Sequence, residues 1–232
     1  MTTNAHPESR ISEPLERELR ELVRELGPTM KIDLEAYEAA GLEWWQPVLL
    51  GSGSLQSRVG LFGRDPGRNE LFHREPFIGK AGQQIRDGLH RARHGTPCPS
   101  IDASLVVGSE IFWGNTVPFK PIGNKAWSVK VKRAFAPLIT RLLCEEWQGD
   151  ELITCGREAF LWFALADKSL KPAIEEHWAL DDRFGRSLEV TLAGKRLRLH
   201  PLPHPSPLNA RWYKLFPGLL DGRLKELGWP ER

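Results

Sequence analysis

The sequence predicts an α/β fold: a three-layer α/β/α sandwich with a central, mainly parallel four-stranded sheet. Three observations predict it. Short apolar runs at 58–62, 110–116 and Glu151–Cys155 read as buried strands. Segments of helical periodicity at 81–92, 128–147 and 157–166 alternate with them, the pattern of crossover helices covering both faces of a parallel sheet. Finally, the 232 residues show no evident internal repeat or linker, so 1–232 reads as a single domain around one sizeable core.

The elements follow in order. Residues 1–10 read as a mobile tail. Leu15, Leu19, Leu22, Val23 and Leu26 recur at helical spacing, with Ser12 as N-cap and Gly27-Pro28 as the stop. The strand at 58–62 runs into Gly63-Arg64-Asp65-Pro66-Gly67-Arg68-Asn69, where glycine and proline make a turn that carries an unusual pair of charges. After the strand–helix alternation, 188–192 and 196–200 read as a late hairpin or a final sheet strand across Ala193-Gly194-Lys195. A last helix is expected over 217–227. The segment 167–187 has no assigned structure and reads as a protrusion.

Composition excludes several function classes. A charged fraction of 27% and a hydrophobic fraction of 41% fit a soluble globular protein. No apolar run reaches the roughly 20 residues of a membrane span, and the polar first thirty residues carry no secretory signal. Three cysteines without a C-x-x-C pair favour a reduced cytoplasm and are too few for a four-cysteine iron–sulfur site. The net charge of +2 does not by itself declare a nucleic-acid binder. The placement of charge says more: Arg64, Arg68, Arg74 and Lys80 cluster, as do Lys120, Lys125, Lys130, Lys132 and Arg133, and such clusters suit phosphates as well as a solvated surface.

In parallel sheets ligands bind beyond the carboxyl ends of the strands. Three short polar segments, 63–69, 115–120 and 203–209, follow expected strands and converge there on this topology. In the third, Pro203, Pro205 and Pro207 stiffen a backbone that presents His204 and Ser206. His200 and His204 have H-x-x-x-H spacing, but the prolines forbid the helix that would align them on a metal, and no metal is expected. The stretch 75–85 joins Pro76, Phe77 and Ile78 to a glycine-rich helix start. There Phe77 is core or a stacking platform, and the first amides of the helix suit a phosphate.

Together these stretches resemble the uracil-DNA glycosylase superfamily. Residues 63–67, GRDPG, resemble the Gly-Gln-Asp-Pro-Tyr motif of its family-one enzymes, and 204–209, HPSPLN, resemble their His-Pro-Ser-Pro-Leu motif. Residues 75–85, EPFIGKAGQQI, and 114–125, GNTVPFKPIGNK, resemble two segments of the family-four, iron–sulfur enzymes. The resemblance covers 58–225. It implies that Asp65 orients the attacking water and stabilises a cationic sugar, and that His204 donates to uracil O2. Phe77 would stack on the flipped base and Asn115 would read its O4 and N3–H edge, with Gly63, Arg64 and Gly67 also lining the substrate. Ser206, Leu208, Arg211, Lys80, Lys120 and Lys125 would contact DNA.

The chain departs from the family patterns. Where the family-four enzymes place cysteines it has the 44–56 stretch, Pro118-Phe119 and 134–137, so no cluster and no cofactor are expected. Arg64 replaces a glutamine and Gly67 a tyrosine that excludes 5-methyl groups, which predicts room for a 5-substituent. The resulting reading is a cytoplasmic, monofunctional uracil-DNA glycosylase that starts base-excision repair on single- or double-stranded uracil-containing DNA. Its further substrates would be 5-substituted uracils or other deaminated bases. No membrane partner is expected, and the oligomeric state stays open. The alternatives are a protein that binds uracil or abasic sites without turnover, and a nucleotide or phosphoester hydrolase.

Overall fold

Val59, Leu61 and Phe62 are wholly buried, as are Leu152 and Ile153, because these strands carry apolar side chains to both faces of a sheet. The computed structural model describes residues 11–45 and 51–230, so the tail expected over 1–10 lies outside the described residues. Along them run α1 (Glu13–Leu26), α2 (Leu34–Ala39), β1 (Ser52–Gly53), β2 (Val59–Gly63), α3 (Arg68–His73), α4 (Lys80–His94), α5 (Ile101–Gly108) and β3 (Phe112–Asn115). Then follow α6 (Val129–Arg141), β4 (Glu151–Cys155), α7 (Arg157–Ala166), α8 (Lys171–Ala179), β5 (Leu188–Leu192), β6 (Lys195–Leu202), α9 (Ala210–Tyr213) and α10 (Phe216–Glu226).

Among the described residues the sheet has six strands, ordered β1-β3-β2-β4-β6-β5. It is therefore mixed, not four-stranded. The inner four, β3-β2-β4-β6, pair in parallel, while β1 and β5 add antiparallel edges. The two-residue β1 is too short to leave any periodicity in the sequence. Layers form on both faces. Leu15, Leu19, Phe135, Ile139, Phe160 and Phe163 cover one face against Phe62 and Leu152. Ile85, Leu89, Val107, Leu220 and Leu224 cover the other against Val59, Leu61 and Ile153.

Two helical expectations change. The helix expected over 128–147 ends at Arg141 and widens into a π-type turn, Leu142–Glu146, closed by Trp147 N–H to the Leu142 carbonyl at 2.9 Å. The unassigned 167–187 is no protrusion. It contains α8, whose Ile174 and His177 are buried, and whose His177 and Trp178 rings pack 5.4 and 5.5 Å from Phe160 of α7. No helix among the described residues is long and apolar enough to cross a membrane.

Candidate active site

The register of the parallel strands builds the site. Gly63 at the end of β2 lies opposite Asn115 at the end of β3, so both chains leave the sheet side by side. They stay together. Thr116 N–H donates to the Gly63 carbonyl at 2.9 Å, and Val117 N–H to the Arg64 carbonyl at 3.3 Å. The Thr116 hydroxyl also donates to the Arg64 carbonyl. The backbone of the Arg64–Asp65 turn is thereby fixed by its neighbour. Two strands across, the end of β6 is tied to the end of β4 by Gly156 N–H donating to the Leu202 carbonyl at 2.8 Å. The proline-rich segment then carries His204 over the sheet, with Asn209 donating to the His204 carbonyl at 3.3 Å.

A crevice of about 760 Å³ opens between these segments. Ten residues expected at the site line it: Gly63, Arg64, Asp65, Gly67, Phe77, Lys80, Asn115, His204, Ser206 and Leu208. Asp65 is nearly inaccessible, its side chain 3% exposed. Burial pushes its carboxyl pKa up to about 6, against the pull of Arg64, Lys120 and Lys132. Arg64 grips it with two bonds, Nε to Oδ1 at 2.7 Å and a terminal guanidinium nitrogen to Oδ2 at 3.1 Å. His204 is exposed where it lines the crevice, and partial desolvation together with the Arg64 charge holds its pKa below the ordinary histidine value. Its neutral form is thus the resting one.

Phe77 forms a wall of the crevice. Its backbone sits in the left-handed region at φ 51°, and its ring packs so closely on Gly63 that an added Cβ there would stand 2.5 Å from Cζ. Glycine is required at 63 for that approach. Behind the ring lie Trp113, with centroids 5.1 Å apart, and the buried guanidinium of Arg86. Arg86 donates to the carbonyls of Phe77 (3.1 Å), Pro76 (2.6 Å) and Ser104 (2.7 Å), so it holds the turn that presents Phe77.

The structure corrects the assignment of Lys120 and places two other expected contacts, Lys125 and Arg211, away from the crevice. Lys120 faces inward, where it pairs with Asp33 at 3.0 Å and donates to the Pro121 carbonyl, so it offers no surface for DNA. Lys132 of the same cluster is also buried, in an ion pair with Glu158. Lys125 is exposed but outside the crevice lining, as is Arg211, whose guanidinium lies 4.9 Å from the Trp212 ring. The space expected beside Gly67 is filled. Glu70 of α3 brings its carboxylate there, accepting Gly67 N–H at 2.7 Å, and a side chain at 67 would run into it. Gly79 N–H bonds the same carboxylate just before α4, whose own first amides carry no side-chain cap.

Sequence reasoning missed Glu70 and Cys155, which both line the crevice. A signal for Glu70 existed: an acidic residue three positions after the turn glycine, where it caps the next helix. His200, the other member of the H-x-x-x-H spacing, lies inside the sheet between Glu151 (2.6 Å) and Ser187 (2.8 Å). Burial and the charges of Arg223, Arg198 and Arg58 push its pKa down to about 3.

This arrangement places a buried carboxylate, an imidazole, an aromatic wall and a buried amide, Asn115, around one cavity at the carboxyl edge of a parallel sheet. A family model described as "Uracil DNA glycosylase superfamily" matches residues 50–228. Among curated proteins, none matches the chain. The matched stretch holds the inner four strands and every residue that lines the crevice. Members of that superfamily act on DNA and hydrolyse glycosyl bonds. This chain belongs to the uracil DNA glycosylase superfamily.

Proposed function

We propose that the protein is a monofunctional uracil-DNA glycosylase that cleaves the N-glycosidic bond of deoxyuridine and so opens base-excision repair in the cytoplasm. One observation carries the reading: Asp65 and His204, 204 − 65 = 139 residues apart in the chain, line the same crevice with Phe77 and Asn115. Cleaving an N-glycosidic bond separates charge, leaving a cation on the deoxyribose and an anion on the base. A carboxylate on the sugar side and a neutral imidazole N–H on the base side stabilise those charges where they develop.

The remaining groups support recognition. A base drawn out of a duplex loses stacking worth a few kcal/mol, and the Phe77 ring offers a replacement surface. The Asn115 amide can match the O4 acceptor and N3–H donor of uracil at once and mismatches cytosine, which has N4 donors and a bare N3. Glu70 stands in the space beside Gly67, so 5-substituted uracils meet a carboxylate there. Excision should therefore favour a hydroxymethyl group, which donates to that carboxylate, over a methyl of similar bulk. Incubation with uracil-containing oligonucleotides, followed by alkaline cleavage at the abasic product, tests the proposal. Release of uracil is expected from the native chain. Binding without release would support instead a protein that recognises the lesion and leaves it intact.

A further inference from the structure

The segment 167–187 lies outside the crevice and carries a feature that the crevice chemistry does not use. Rings and guanidinium groups alternate along it in one continuous line of contacts. Arg183 reaches the Trp178 ring of α8 at 5.2 Å and the Phe184 ring at 4.9 Å. Phe184 meets Trp212 of α9 edge-on, with centroids 4.8 Å apart, and Arg211 lies 4.9 Å from the Trp212 ring. The line ends one helical turn from the crevice. Trp212 N–H and Tyr213 N–H donate to the Asn209 carbonyl at 3.0 and 2.9 Å, and Asn209 lines the crevice beside Leu208.

The cations of this line are not spent on carboxylates. Arg186 pairs with Asp182 and Arg223 with Glu226, each at 2.7 Å, but neither Arg183 nor Arg211 has such a partner among the described residues. One terminal nitrogen of Arg183 donates to the Leu180 carbonyl at 2.6 Å, and its Nε is buried without a partner. The other terminal nitrogen meets solvent. Arg211 is exposed, and Trp178 and Trp212 are half-buried, so both indoles keep surface in water. A guanidinium stacked on a ring still offers its N–H edge to a phosphate.

A strand with one nucleotide seated in the crevice leaves it on both sides of that nucleotide. Rings alternating with guanidinium groups match the alternation of base and phosphate along an unpaired strand, whereas bases in a duplex keep their faces on each other. We propose that Trp212, Arg183 and Trp178 form a track for the unpaired flank of a DNA strand on the Leu208 side of the crevice, with Arg211 at its start. This inference rests on the reading that the crevice seats a nucleotide of DNA, and it gives the segment 167–187 a role in that binding. The track is indifferent to sequence, because every base has a π-face.

The test uses end-labelled oligonucleotides that carry 2′-fluorodeoxyuridine, which resists cleavage, and that are lengthened stepwise on the 5′ or the 3′ side. Affinity is read by fluorescence anisotropy. In Trp178→Leu the affinity gained by lengthening one of the two flanks should shrink about fivefold or more, the loss of one base–aromatic stack. The gain from the other flank should stay as in the native chain. In Arg183→Met the slope of log affinity against log salt should become shallower by about 0.7 for the long strand, one phosphate contact fewer. Both effects should vanish when that flank is paired into a duplex. Photocrosslinking of the native chain to 5-iododeoxycytidine in the same flank should give adducts at Trp178 or Trp212, and it serves if a variant fails to fold.

Flank gains that match the native chain in both variants, an unchanged slope, or adducts confined to other rings overturn the track. So does a loss of affinity as large for the shortest strand as for the longest, since that marks a cluster that only supports the fold. Effects that persist in a duplex overturn it as well. Failure of the glycosylase reading looks different. A native chain that shows the one-sided flank gain and the adducts, yet releases no uracil from a cleavable strand, rejects that reading alone. Absence of binding rejects both.

Discussion

Asp65 illustrates how a residue is made costly to fold and useful to chemistry by one fact, its burial. Its folded pKa of about 6 lies above the ordinary 3.8, so the folded state penalises the charged form. That penalty is full above about pH 6 and is relieved as pH falls from about 6 toward 4. Asp65→Asn should thus lower single-turnover excision by at least about 10²-fold while leaving the fold as stable or more so. The gain is at most about 3 kcal/mol, from about two pKa units at 1.36 kcal/mol each, and a thermal melt measures it. In the native chain kcat/KM should fall as pH drops through about 6 and stay nearly flat from about pH 7 to 9, since His204 is held neutral. His204→Ala should reduce rate more than affinity, and an unchanged rate would reassign it to an ordinary proline-rich turn. Gly67→Tyr would not build a gate against 5-substituents. The ring would displace the Glu70 carboxylate from the amides of Gly67 and Gly79, so the variant should melt earlier and lose activity on every base.

At the scale of elements, the site was legible because strand ends are legible. Three polar segments rich in glycine and proline follow apolar runs, and in a parallel sheet their convergence follows from topology. That route led to the segments that carry Asp65, Asn115 and His204, and the resemblance singled those residues out. What stayed hidden depends on partners distant in sequence. Nothing near Lys120 announces Asp33, and nothing near Phe77 announces that Arg86 will reach back from α4 to hold its carbonyl. The edge strand β1 and the helices of 167–187 were missed for another reason: two residues carry no period, and α8 buries only Ile174 and His177. The Phe77 wall yields a prediction of its own. Arg86→Met removes three bonds to backbone carbonyls and leaves Glu75 without this ion partner, and breaking such a buried set costs about 3–5 kcal/mol. In chemical denaturation the midpoint should fall, and KM for uracil-DNA should rise more than kcat falls as the wall loosens. Retained stability with an unchanged KM would show that Trp113 alone holds the ring.

Across the whole molecule, charge is distributed more sparingly toward the crevice than the sequence suggests, because two lysines of the 120–133 cluster face inward. Affinity for DNA should still fall with salt, through Arg68 and Lys80 at the lip. Replacing both by alanine should make the salt slope shallower by about 1.4–1.8, while Lys120→Met should destabilise the chain through the abandoned Asp33. The position of Asp33 reaches further than that pair. The recognised family region begins at residue 50, yet Asp33, the bridge between Ile32 and Pro121, and the bond from Asp33 N–H to the Lys120 carbonyl all come from before it. The leading helices therefore act as a brace under the segment that follows Asn115. A protein trimmed to the family boundary for expression would keep every crevice residue and lose what supports them, with Lys120 deprived of Asp33 and the apolar surface under the lost helices laid open to water. Such a fragment should be recovered aggregated or molten, and a second fragment beginning at Ile11 should restore a sharp melting transition.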